Sequence, residues 1–127
     1  MTANEVLAHR DAFVLVDVRE PRELAVSTIP GALTRDEFEA RKAELKAKGA
    51  TIVPYCTIGY RSGLYTEELR EQGFEAKNLE GSLLSWTWAG GPLVHDDEPT
   101  KRVHVYGPQW NLVAEGYEGV WGASADR

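Results

Sequence analysis

The residues best able to do chemistry in this chain lie together in Cys56-Thr57-Ile58-Gly59-Tyr60-Arg61-Ser62-Gly63. Cys56 is the single cysteine of 127 residues, which excludes an intrachain disulfide and every thiolate cluster for zinc or iron–sulfur. A thiol reacts as a nucleophile in its ionised form, and this setting favours ionisation. The cysteine follows an apolar run, Thr51-Ile52-Val53-Pro54-Tyr55, and a helical stretch begins near Ser62. It therefore occupies a strand-to-helix turn. Successive backbone N–H groups in such a turn curl into an anion-binding concavity, and the helix start adds unpaired donors and the positive end of its dipole. Gly59 supplies the left-handed backbone angles the curl needs, and Arg61 adds a permanent cation five positions after the thiol. Each of these lowers the thiol pKa from its free value of about 8.5. The plainer reading is a buried, inert cysteine closing a strand.

The elements that hold the loop can be read from either side of it. A short amphipathic helix is expected at about 2–10, with Val6 and Leu7 inward. Phe13-Val14-Leu15-Val16-Asp17-Val18 is a nearly continuous apolar run, as for a strand covered on both faces. Residues 19–33 read as a charged loop ending in Ile29-Pro30-Gly31-Ala32. Thr34 with Glu37 forms a capping box, and the helix it starts runs to about Lys48, closed by Gly49. Phe38 and Leu45 give that helix a narrow apolar stripe, while Glu37/Arg41 and Glu44/Lys48 suit a solvent face. Pro54 cannot donate to a ladder, so it belongs near the end of its strand or where the neighbouring chain has diverged. Ser62 to Gln72 reads as helix, 74–78 as a short strand, and 82–88 as one or two helical turns. Strands alternating with helices predict an α/β fold with a parallel, doubly wound sheet, and such sheets bind ligands at their strand ends. Beyond this, 95–100 is a polar, Pro-containing turn and 103–106 alternates like a strand. Trp110, Tyr117 and Trp121 follow in irregular sequence. They read as an apolar strap on the domain, with a partner-docking surface as the alternative.

Composition narrows the partners. The formal charge is −6, and it is uneven: residues 1–63 carry nine acidic and nine basic side chains, residues 64–127 eleven and five. No basic stripe exists, so neither nucleic acid nor anionic membrane is an expected partner. An anionic substrate must be held by a few local donors against the overall field. The histidines, at 9, 95 and 104, have no ligand-spaced companions, so no metal and no other cofactor is expected. There is no membrane-length apolar run and no signal-peptide layout, and the expected location is cytoplasmic.

Three stretches resemble the rhodanese homology domain. They are Leu15-Val16-Asp17-Val18-Arg19-Glu20-Pro21-Arg22-Glu23-Leu24, Ile29-Pro30-Gly31-Ala32, and Tyr55-Cys56-Thr57-Ile58-Gly59-Tyr60-Arg61-Ser62. Asn78-Leu79-Glu80-Gly81-Ser82 through Trp86 and Gly91-Pro92 is similar to that family's closing segment. The likeness spans roughly residues 4–94. Ser27-Thr28 stand where the family usually has Gly-His, Glu80-Gly81 where it has a Gly-Gly pair, and Trp88 is an added tryptophan. The resemblance implies a five-stranded parallel sheet with helices on both faces. It also makes residues 1–94 the catalytic domain and 95–127 a C-terminal extension packed upon it.

The resemblance implies sulfane-sulfur transfer as well. Cys56 becomes a persulfide at the expense of thiosulfate or a similar small anionic donor, then yields the sulfur to a thiophilic acceptor: cyanide, a cellular thiol or a sulfur-accepting protein. The N–H groups of residues 57–61 (Thr57, Ile58, Gly59, Tyr60, Arg61) would cradle the terminal charge. Arg61 would attract the anion and brace the loop. Asp17 and Arg19 would form a brace, with Arg19 facing the substrate as the alternative. Tyr60 and Trp86 would wall the pocket or lie in the core, and the three histidines read as surface or strand residues. Two other functions fit the same residues: a non-enzymatic persulfide carrier or partner-binding module, and a phosphatase or arsenate reductase of the related cysteine-loop kind.

Overall fold

A computed structural model of the chain describes residues 1–126. Helix α1 (Ala3–Ala8), capped by the Thr2 hydroxyl, leads through one 3-10 turn into strand β1 (Phe13–Asp17). Helix α2 (Pro21–Leu24), strand β2 (Leu33–Thr34), helix α3 (Arg35–Ala47) and strand β3 (Thr51–Tyr55) follow. Helix α4 (Tyr60–Glu71), strand β4 (Glu75–Ala76) and helix α5 (Ser82–Trp88) complete the α/β unit. The strands pair in parallel in the order β2-β1-β3-β4.

β1 and β3 run in register from Phe13 against Thr51 to Asp17 against Tyr55, so both release the chain at one edge. That edge carries Cys56. The strands alternate as a doubly covered sheet should. Leu15, Val53 and Tyr55 face a cluster with Val6, Leu83 and Trp86, whereas Val16 and Ile52 face Phe38, Leu45, Tyr65 and Leu69 from α3 and α4. Pro54 is accommodated because its carbonyl accepts from Leu79 N at 3.1 Å, on the side where β4 has already ended at Ala76. Its missing N–H thus faces no strand.

The Thr34–Glu37 capping box and the buried Phe38 and Leu45 are present as read from the sequence. Glu37 is held by that box and does not pair with Arg41, which turns to Glu44 instead. Three local readings change. The stretch 19–33 is not all loop: Glu20 and Glu23 make a reciprocal capping box around α2, with Pro21 at its first turn. The paired sheet has four strands among the described residues, where five were expected. Past the end of β4, Met1 donates to Asn78 O and accepts from Glu80 N, and one residue does not make a ladder.

The polar turn expected at 95–100 is the third. It is an antiparallel hairpin of β5 (Leu93–His95) and β6 (Glu98–Thr100). Asp96 and Asp97 take φ of 48° and 66°, the left-handed pair that a two-residue hairpin turn requires. Pro99 is tolerated because a two-stranded ladder leaves its other side open. Strands β7 (Arg102–His104) and β8 (Glu118–Val120) then pair in parallel, and Val103 and Val105 are fully buried in the cluster that holds Val53 and Trp86. Polar bonds tie this region to α5 and the loop after it. Ala114 N donates to Thr87 Oγ1 at 3.0 Å, Trp88 Nε1 to Leu112 O at 2.7 Å, and Tyr117 O–H to Gly91 O at 2.6 Å. No helix among the described residues is long and apolar enough to cross a membrane.

Candidate active site

The turn from β3 into α4 closes around the sulfur of Cys56. Gly59, at φ 110°, bends the chain so that its own N–H points back at Sγ, 3.1 Å away. Ser62 Oγ lies 3.4 Å from the same sulfur. Two carbonyls of the turn are held by the first turn of α5: Leu83 N donates to Cys56 O and Leu84 N to Thr57 O, each at 3.2 Å. The first N–H groups of α4 have no intrahelical acceptor and share the region with the sulfur.

Burial by itself would push the Cys56 thiol up. Hydrogen bonds from the Ser62 side chain and backbone, the Gly59 amide and the Arg61 charge together outweigh it, and the thiol sits below its ordinary value. Alkylation by neutral iodoacetamide tests this. The thiolate fraction falls as pH drops through the thiol pKa, so the rate should be half-maximal below about pH 8.5, the free-cysteine value. A midpoint at or above that value would refute the cradle.

Arg61 does not stand free. Its two terminal nitrogens donate to Glu23 at 2.8 and 2.9 Å, a bidentate pair, and one of them reaches Thr57 Oγ1 at 3.3 Å. Burial would raise the Glu23 carboxyl, but the Arg61 hydrogen bonds and the Glu20 amide hold it below the usual range. The cation expected to face a substrate is therefore paired with Glu23, and the pair links the loop to α2. Tyr106, just beyond β7, places its ring 5.3 Å from the Arg61 guanidinium carbon. His104 on β7 is buried against the same charge cluster, and burial pushes its pKa down.

Asp17 and Arg19 form a second bidentate pair, at 2.9 and 2.7 Å, and Arg19 also donates to Ser27 O at 2.6 Å. Both are buried, and Arg19 ties the loop after β1 to the strand end. Trp86 is fully buried in the core and donates to Pro92 O. Tyr60 is 71% exposed at the rim. Thr57 is buried, and Ile58 packs at the margin of the core.

Four further residues meet at the loop. Glu23 was legible only as part of a charged stretch, although Pro21 with acidic residues around it is a helix-start pattern. Tyr106 lay in the alternating segment after the hairpin. Asn78 donates from Nδ2 to Gly59 O at 3.0 Å and accepts from Ser62 Oγ at 2.7 Å. Ser82 Oγ accepts from Cys56 N at 3.1 Å. Asn78 and Ser82 lie in the stretch that resembles the family's closing segment, but their contacts with the cysteine turn are long-range and come from the fold.

A parallel α/β sheet with a cysteine loop at its strand ends is what the sequence led one to expect, and the rhodanese-like domain family matches residues 2–89. The chain belongs to it. A protein named sulfurtransferase from Allochromatium vinosum is 35% identical over 91 residues, covering 69% of this chain and 84% of its own length. An uncharacterized protein of Synechocystis is 41% identical over 90 residues, 69% of this chain and 50% of its own length, so the chain spans about half of that relative. Among solved structures, a thiosulfate sulfurtransferase from Pseudomonas aeruginosa superposes with a TM-score of 0.66 at 26% identity. The match covers 87% of this chain and 22% of that one.

Proposed function

We propose that this protein is a sulfurtransferase that carries sulfane sulfur as a persulfide on Cys56. The observation that carries the reading is the short turn from Cys56 to Arg61, with the Gly59 amide and the Ser62 hydroxyl converging on one sulfur. In the first half-reaction the Cys56 thiolate attacks the outer sulfur of thiosulfate or a similar donor. An S–S bond forms, and the bond to the sulfonate sulfur breaks with its electron pair leaving on sulfite. In the second, cyanide or a thiolate attacks the outer persulfide sulfur and the Cys56 thiolate is restored. Splitting the transfer in this way is nucleophilic catalysis, and no general base is required once the thiol is ionised. Cys56 has no exposed surface in the resting arrangement, so each donor enters only as side chains at the loop mouth move aside.

The Glu23–Arg61 pair favours a donor less charged than thiosulfate, such as a low-molecular-weight persulfide, because no uncompensated loop cation awaits a dianion. The loop length disfavours phosphate chemistry. Four residues separate Cys56 from Arg61, and the related phosphatases place five there to surround a tetrahedral oxyanion.

Intact mass tests the proposal directly. Incubation with thiosulfate or a glutathione persulfide should add one sulfur atom to the protein, and cyanide should then remove it. Hydrolysis of aryl phosphates should stay at background. Efficient phosphatase turnover without any persulfide would overturn the assignment.

A further inference from the structure

Ser82 is the one residue beneath the loop whose backbone conformation its side chain disfavours. Its φ is 46°, a left-handed angle that glycine adopts freely and serine seldom does, and it follows Gly81 at φ 69°. Non-glycine residues hold such angles where the surroundings over-determine them, and functional sites are a common place. Here the side chain is fully buried, and every direction open to its hydroxyl leads into the cysteine turn or the segment under it. The oxygen accepts from Cys56 N at 3.1 Å, lies 3.3 Å from Ser62 Oγ, and can donate to Leu79 O at 3.1 Å.

We infer that Ser82 is a positioning residue for the nucleophile, its hydroxyl and that of Ser62 forming a two-member chain that turns toward Cys56 when the sulfur becomes charged. The proton count decides the two settings. Asn78 Nδ2 is committed to Gly59 O, so its Oδ1 faces Ser62 and accepts the single Ser62 hydroxyl proton at 2.7 Å while the thiol is neutral. Ser82 then donates to Leu79 O. On ionisation the Ser62 hydroxyl rotates onto Sγ, because a bond to an anion is roughly twice as strong as a neutral one. The Ser62 oxygen now has lone pairs facing Ser82, which turns its own proton toward them. Leu79 O is not orphaned, since the Ser82 amide already donates to it at 2.9 Å. No proton changes heavy atoms within the chain; two hydroxyl hydrogens rotate. Ser82 completes the arrangement by holding the Cys56 amide at the same oxygen, which fixes where the sulfur stands.

The inference rests on Cys56 being the reactive group, but its test needs no sulfur donor. Iodoacetamide rates are followed against pH for the unaltered protein, Ser82→Gly and Ser82→Ala, with the midpoint of the profile read separately from its plateau. Glycine removes the hydroxyl and relieves the backbone, whereas alanine removes the hydroxyl and keeps the strained angle. Both midpoints should move to higher pH, with a rate at pH 7 about threefold to tenfold lower relative to the plateau. Ser62→Ala combined with Ser82→Gly should lower that rate by less than the product of the two single effects, as linked groups do. An unmoved midpoint in Ser82→Gly would overturn the inference, even if alanine proved too strained to fold. A shift in alanine alone would also overturn it, by assigning the effect to strain. A shift in both without persulfide formation would leave Ser82 in its role and remove the sulfur-transfer reading instead.

Discussion

Replacing Cys56 with serine should abolish both half-reactions, with loss of sulfur transfer by at least about a thousandfold. Losing a covalent nucleophile costs orders of magnitude, since the remaining donors have nothing to attack with. The fold should survive. Serine fits the space, the amide of residue 56 still reaches Ser82 Oγ, and the carbonyl is still held by Leu83 N. Thiosulfate-to-cyanide transfer is the measurement, with thermal melting as the control. Because Cys56 is the sole thiol, residual transfer in the serine variant would leave no alternative carrier in the chain, and the persulfide mechanism would fail.

The second large effect falls on stability. Arg61→Ala should lower the melting temperature by roughly 10 °C, corresponding to about 3 kcal/mol. Glu23 is 2% exposed, and without Arg61 its carboxylate keeps only the Glu20 amide at 2.7 Å and the distant Thr57 hydroxyl. Removing one member of a buried pair strands the other, which is why the cost is high although the intact pair adds little net stability. The loss of activity in Arg61→Ala should then fall on donor and acceptor steps alike, as the loop loosens. Glu23→Gln separates charge from bracing. It keeps an oxygen for Arg61 while freeing the positive charge, so the thiosulfate step should quicken several-fold, more at low salt, and a neutral acceptor should be unaffected. A slower thiosulfate step in Glu23→Gln would show that Arg61 serves the anion only when paired.

The cysteine turn was legible because its signals are local: an apolar strand, a cysteine, a glycine three residues before a helical pattern, and an arginine. The α3 start was legible for the same reason, since Thr34 and Glu37 lie three residues apart. What escaped was set by distance or by atypical chemistry. α2 begins on glutamate instead of serine or threonine, and its single turn is too short for periodicity to show. The hairpin at Asp96-Asp97 lacks the glycine that usually marks a left-handed turn, and Pro99 argued against a strand. The contacts of Ser82 with Cys56 and of Glu23 with Arg61 join residues 26 and 38 positions apart, and only parallel strand order brings them together. A free cation at Arg61 was the natural reading of sequence because its partner lies on another element.

The bonds from Ala114, Leu112 and Tyr117 to α5 and Gly91 bear on where this protein can be divided. The family likeness ends at residue 89, yet Val103 and Val105 sit in one cluster with Val53 and Trp86. The packed core therefore runs past the stretch that the family match covers. A gene cut at the family boundary would strip the covering from α5, and α5 is also what pins the carbonyls of Cys56 and Thr57. Grafting the active-site loop into another scaffold would meet the same difficulty. The shape of the sulfur's surroundings is maintained from beyond the homologous region, through a helix that touches both.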